Sequence, residues 1–317
     1  MVAGASRISF GITPIQTGVD FPHIREVAVL AEELGYDSVW LNDHFFTSKF
    51  FHPLPPPTAP YYECWVTLSA LASATQRVRL GTLCSNVSFR QPALLAKMAA
   101  CLDQVSGGRL ELGLGAGWFE DEHSAYGIPF ANMKERAGRV TEAVEIIRRL
   151  WTEECVTFKG RYYEITDAYC SPKPVQQPLP GILIGGRGGR TMLGVVARSA
   201  DRWNIQTPIT PGQYRRKVSL LEGHCQKLNR DPNRIGRSLW AGTVIGRDAN
   251  DYANAAKQLD LPHSAYLDSR ISGTPEQCID KIREFVDLGV TEFIHYFTYE
   301  ELRSVELFAT KVIPAFR

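Results

Sequence analysis

The chain has 317 residues, 44% of them hydrophobic and 22% charged, with a formal net charge of +1. That composition describes an ordinary globular protein with ample core. It offers no electrostatic case for nucleic acid or an anionic membrane surface, and no apolar run reaches the length of a membrane span.

The opening segment MVAGASRISFGITPI lacks a charged n-region, a long apolar stretch and a cleavage site. It therefore does not read as a signal peptide, and a cytoplasmic protein is expected. The first β-type run, 8–12, precedes a helix whose Ile24, Val27, Ala28, Ala31 and Leu34 share one face, with Asp20 as N-cap and Gly35 at its end. Runs 38–41 and 78–83 follow. A helix with Pro92 near its start then groups Leu94, Met98, Leu102 and Val105, and Ser106-Gly107-Gly108 stops it. Run 109–114 comes next, followed by a helix that buries Val140, Val144, Ile147 and Trp151. Residues 156–165 alternate like a small hairpin around Lys159-Gly160, and the remaining runs are 181–184, 202–205, 239–245 and 292–295. Thr274 with Gln277, and Thr298 with Glu301, read as capping-box starts.

Eight runs separated mostly by helices predict an α/β protein with a parallel sheet. A faint repeat favours closure: Leu34-Gly35 and Leu288-Gly289 each end a helix two or three residues before a strand. An open doubly wound sheet could show the same repeat. Eight units over this length favour a (β/α)8 TIM barrel with insertions in its loops, one domain over 1–317. The proline- and aromatic-rich stretch 47–62 reads as a structured loop at the catalytic face, and 248–272 as a further insertion.

Asp43-His44 follows directly from an apolar run, which in a barrel puts it at the catalytic face. Histidine gives or takes a proton near neutral pH, and an adjacent carboxylate can bias its tautomer. The plain alternative is a histidine that caps a strand end. His295 also ends a strand and is a weaker candidate. The other histidines (23, 52, 123, 224 and 263) form no spaced cluster, and no metal is expected. The seven cysteines are scattered and never spaced as Cys-x-x-Cys, which argues against a disulfide framework and a zinc site.

Two glycine runs bear on ligand binding. Gly113, Gly115 and Gly117 alternate at a strand end, then Trp118, Phe119 and the ionisable Glu120, Asp121, Glu122 and His123. Without Cβ atoms, such a strand end lets a planar ligand or another backbone come close. Gly185-Gly186-Arg187-Gly188-Gly189-Arg190 lies between a strand and a helix, and lacks the Lys-Ser/Thr of a P-loop. A glycine turn feeding a helix start suits a phosphate, with Arg187 or Arg190 adding charge. A loose strand-to-helix turn with solvated arginines is the plain alternative.

The segments LGTLCSN, SGGRLELGLGAGW and AYGIPF, with Asn42-Asp43-His44-Phe45-Phe46 upstream, resemble in order the luciferase-like flavin and deazaflavin oxidoreductases. The resemblance spans nearly the whole chain and implies a barrel with the flavin-type ring across its mouth. It implies Asp43 and His44 beside the ring, a non-proline cis peptide at Leu83-Cys84 behind it, and Asn86, Gly117 and Trp118 as wall contacts. Gly186, Arg187, Gly188 and Gly189 would form the phosphate turn. The Asp-His-Phe strand ending resembles the branch that uses coenzyme F420 for hydride transfer. Flavin mononucleotide (FMN) with monooxygenase chemistry is the alternative, and a non-catalytic flavin-binding barrel a second. Trp118 stands where some deazaflavin sugar-phosphate dehydrogenases carry an acid, which points to a fairly apolar small substrate. Relatives of this kind are commonly homodimers.

Overall fold

The computed structural model describes residues 7–48, 55–259 and 269–317. In chain order the strands are β1 (Ser9–Ile12), β2 (Ser38–Leu41), β3 (Arg79–Thr82), β4 (Ser85–Asn86), β5 (Leu110–Gly115) and β6 (Cys155–Lys159). They continue as β7 (Glu164–Tyr169), β8 (Ile182–Gly185), β9 (Arg202–Gln206), β10 (Gly236–Ile245), β11 (Ile271–Gly273) and β12 (Glu292–Phe297). Eight of them pair in parallel around a ring, in the order β1-β2-β3-β5-β8-β9-β10-β12. β12 returns to β1, with His295 opposite Ile12, and β10 pairs with both β9 and β12, so the barrel is closed. These are the eight runs expected from sequence, and the architecture is a (β/α)8 barrel. β4 adds beside β5, β11 beside β10, and β6–β7 form the antiparallel hairpin expected around Lys159-Gly160.

Helices α1 (Phe21–Glu33), α2 (Cys64–Ala74) and α3 (Pro92–Val105) cover the first strands. After β5 come a short helix, α4 (Glu120–Ala125), and the long α5 (Met133–Thr152). α6 (Arg190–Ser199), α7 (Pro211–Lys227), α8 (Ala249–Gln258), α9 (Pro275–Val286) and α10 (Glu301–Lys311) complete the outer layer. No helix among the described residues is long and apolar enough to cross a membrane. The α1 and α9 ends are built alike. Gly35 (φ 83°) and Gly289 (φ 88°) adopt the left-handed conformation, and the next amide reaches back five residues, Tyr36 to Ala31 and Val290 to Phe285.

Two helical expectations are corrected. On α3 the buried set is Leu95, Ala96, Ala99, Ala100 and Leu102, while Leu94 (54% exposed) and Val105 (64%) face out. The helix meets its neighbours through alanines, a closer approach than a leucine stripe allows. The capping box at Thr274 and Gln277 forms, but the one at Thr298 does not. Glu301 accepts from Ile15 N–H and pairs with His23 Nε2, each at 2.8 Å, so its carboxylate is drawn toward β1 and α1 instead.

Inside the barrel, the buried Trp40 packs with Leu83, Leu183 and Ile294. Its ring fills space that a side chain on Gly81 would need, and its Nε1–H donates to Ser38 Oγ at 2.7 Å. Below it, at the strands' amino ends, Arg202 pairs with Glu111 and Glu292, and Arg79 with Glu111. The lower end is thus closed by an indole and an ion-pair network, and the carboxyl end is where side chains converge.

Candidate active site

β2 is buried through Leu41, so the chain leaves the core at Asn42 and the next polar residues lie at the barrel mouth. Asp43 is buried and accepts from both prongs of Arg90, at 2.6 and 3.1 Å, and from Asn86 N–H at 3.1 Å. Arg90 also reaches Glu63. Burial pushes the Asp43 carboxyl up from its ordinary value, while the Arg90 fork and the Asn86 amide oppose that. Removing one partner of such a buried pair typically costs about 3–5 kcal/mol, because the other charge is left uncompensated.

His44 has a different carboxylate from the one its sequence neighbour supplies. Its Nδ1 lies 2.9 Å from Glu122 Oε2, and the other oxygen of Glu122 accepts the Phe45 backbone N–H. Glu122 is buried in the first turn of α4, 78 residues downstream of His44 but adjacent to it in space. The rings of Trp118, Phe119 and Tyr61 stand edge-on to the imidazole, at 5.6, 6.3 and 6.4 Å between centroids. Phe45 stacks between Phe89 (4.5 Å) and Tyr126 (4.2 Å), which fixes the turn that carries His44. Trp118 is 51% exposed and forms the rim.

The expected wall residues converge here. The Leu83–Cys84 peptide is cis, at the end of β3. Cys84 lies against Gly185 of β8, and burial pushes its thiol up to about 12. Asn86 is held on three sides: its N–H donates to Asp43, its Oδ1 accepts from Ser88 N–H, and its Nδ2 donates to His123 Nε2 at 2.9 Å. His123 in turn meets the Pro129 carbonyl through Nδ1, and burial lowers its pKa. A side chain on Gly117 would collide with the Asn86 amide, and one on Gly113 with the Thr82 carbonyl. The alternating glycines therefore admit neighbouring protein as β3 and β4 press against β5. His295, by contrast, is fully buried between the barrel and α10, with Nδ1 2.8 Å from Thr243 Oγ1 and its ring 4.1 Å from Phe308. It is a core residue, remote in chemistry from the mouth.

The glycine turn after β8 leads straight into α6, whose N-cap is Gly189 with no side-chain cap. Gly188 has φ 74°, and Lys217 from α7 donates to its carbonyl at 3.2 Å. Gly186 N–H is used by Asn204 O at 3.0 Å, so the donors on offer are those of the helix start beyond it. Arg187 and Arg190 are exposed beside the turn. An uncapped helix start flanked by three cations fits an anion such as a cofactor phosphate. The loop 47–62 is pinned at its described ends, by Thr47 Oγ1 to Pro55 O at 2.8 Å and by Gly18 N–H to Pro60 O at 3.0 Å; residues 49–54 lie outside the described set, as do 260–268 of the second insertion.

Sequence reasoning missed Glu122 and Arg90. Glu122 stands among four consecutive ionisable residues, and its one signal in the sequence is that it directly precedes the histidine. Arg90 carries no local signal.

An F420-dependent glucose-6-phosphate dehydrogenase of Kineococcus radiotolerans is 31% identical over 321 residues, covering 93% of this chain and 93% of the relative. A second, from Amycolatopsis mediterranei, is 27% identical over 318 residues, covering 92% and 93%. The solved structure of an F420-dependent secondary alcohol dehydrogenase in complex with an F420–acetone adduct superposes with a TM-score of 0.84 at 21% identity, covering 98% of this chain and 99% of that one. Residues 8–266 match the luciferase-like monooxygenase family, and the chain belongs to that family.

Proposed function

We propose that this protein is an F420-dependent oxidoreductase that moves a hydride between coenzyme F420 and a small, fairly apolar organic substrate. The observation that carries the reading is His44 at the barrel mouth, tied to Glu122 and enclosed by Trp118, Phe119 and Tyr61. Relatives that match over nine-tenths of the chain and bear an F420-dependent name support the cofactor.

Coenzyme F420, when bound, accepts or gives the hydride. In the oxidising direction His44 would take the proton from the substrate's hydroxyl. Leu83, Cys84, Asn86, Gly117 and Trp118 would wall the ring site, and the turn Gly186-Arg187-Gly188-Gly189 would hold the phosphate through the amides beyond Gly186 and the Arg187 charge. Asp43 acts through Arg90 and Asn86, fixing the end of β2 against β4. The half-exposed indole of Trp118 presents an apolar rim where the substrate enters, which favours an apolar substrate over a charged one.

The test is an anaerobic assay with oxidised F420 and two panels, short secondary alcohols and sugar phosphates, read by loss of the deazaflavin absorbance. Turnover with the alcohols is expected. Turnover with sugar phosphates alone overturns the apolar substrate, and none with either overturns the dehydrogenase reading in that direction.

A further inference from the structure

We propose that Glu122 is a positioning residue that holds neutral His44 in one tautomer, with the proton on Nδ1 and the lone pair of Nε2 left for the substrate. The catalytic consequence rests on the function proposed above; the tautomer itself does not.

A backbone amide is always a donor, so the Glu122 oxygen that meets Phe45 N–H acts as an acceptor. With Glu122 ionised, its second oxygen, 2.9 Å from His44 Nδ1, accepts as well. A neutral imidazole facing an acceptor must put its single proton on the nitrogen that faces it, here Nδ1. Histidine in water prefers the other tautomer, so the protein has to impose this one. Glu122 is itself held in place, being buried and tethered to a turn whose Phe45 ring is clamped between Phe89 and Tyr126. Trp118 and Phe119, next to Glu122 on the same segment, stack on each other at 5.2 Å and close two sides of the imidazole. The carboxylate therefore sets both the protonated atom and the ring's orientation. Where such a carboxylate has been removed from a working imidazole, the wrong tautomer has cost up to about 10⁴-fold in turnover.

His123 supplies an internal control. Its Nδ1 faces the Pro129 carbonyl and its Nε2 faces the Asn86 amide, so its tautomer is fixed without Glu122.

The experiment is nitrogen NMR of histidine-labelled protein without cofactor, at a pH where imidazole is neutral, with His44 assigned by its loss in a His44→Gln variant. Wild-type His44 is expected to carry its proton on Nδ1. In Glu122→Gln the single amide oxygen must face Phe45 N–H, which turns the NH2 donor toward His44 Nδ1, so His44 is expected to move its proton to Nε2 while the His123 tautomer is unchanged. Turnover with F420 should fall by about 10²-fold or more, with F420 affinity within a few-fold. A proton on Nε2 in the wild type, or an unchanged tautomer in Glu122→Gln, overturns the proposal. If the variant does not fold, seen as displaced His123 signals, the wild-type tautomer alone decides. F420 binding to the wild type is measured separately, so failure of the cofactor assignment leaves the tautomer result standing.

Discussion

The thiol of Cys84 occupies the notch that Gly185 leaves open: a Cβ on Gly185 would sit 2.5 Å from Sγ. With its pKa pushed up to about 12 by burial, this thiol stays protonated and serves as packing at the end of β3. Gly185→Ala is therefore expected to destabilise the fold by about 1–3 kcal/mol in urea unfolding, the range for overpacking a filled site. Adding Cys84→Ala removes the clashing atom and should recover most of the loss. A neutral Gly185→Ala variant contradicts the close approach.

His295 gives the fold a pH dependence of known sign. Burial pushes its pKa down to about 3, from an ordinary value of about 6.5 in the unfolded chain. Between those values the unfolded state binds a proton that the folded state does not, so stability falls as pH falls from about 6.5 toward 3. The slope from this one group is about 1.4 kcal/mol per pH unit. A His295→Gln variant lacks that contribution, so its stability deficit relative to wild type should shrink as pH is lowered from 6 to 4, as urea unfolding at several pH values would show. Parallel profiles for the two proteins would mean that His295 is protonated in the fold.

The legible parts of this chain are those set by local pattern. All eight barrel strands, the α1 cap at Asp20 and the glycine-ended helices at Gly35 and Gly289 follow from burial periodicity and backbone preference within a few residues. The α3 face is not legible in this way, because alanines, with little apolar weight in a sequence, make the contact, while Leu94 and Val105 face out. The site was half legible. Asp43-His44 marks the end of a strand, but which carboxylate meets the imidazole depends on the fold. Arg90 takes Asp43 away from His44, and α4 brings Glu122 in. Likewise the glycines of β5 announced a close approach without saying to what; Thr82 and Asn86 are the answer.

His44→Ala should lower turnover by about 10²–10⁴-fold, the usual worth of a positioned acid–base group. Cofactor affinity should stay within a few-fold, because the residues proposed to hold the phosphate lie on the turn before α6. Normal turnover of the variant with its true substrate would make His44 a wall residue.

Gly188→Val should weaken binding of a phosphorylated cofactor by tenfold or more, about 1.4 kcal/mol. The position has φ 74°, which valine resists, and a side chain there would displace Lys217 from the turn. Binding of a cofactor fragment without the phosphate should barely change, as measured by the same titration. Equal losses for both forms would mean that the turn shapes the ring pocket or the fold.

The central claim is that the barrel mouth around His44 is a deazaflavin hydride-transfer site. Titration of the protein with coenzyme F420 and with flavin mononucleotide, read by fluorescence quenching, tests it most directly. Tighter binding of F420 is expected. Tighter binding of flavin mononucleotide, accompanied by oxygen-dependent turnover, would contradict it and move the protein to monooxygenase chemistry.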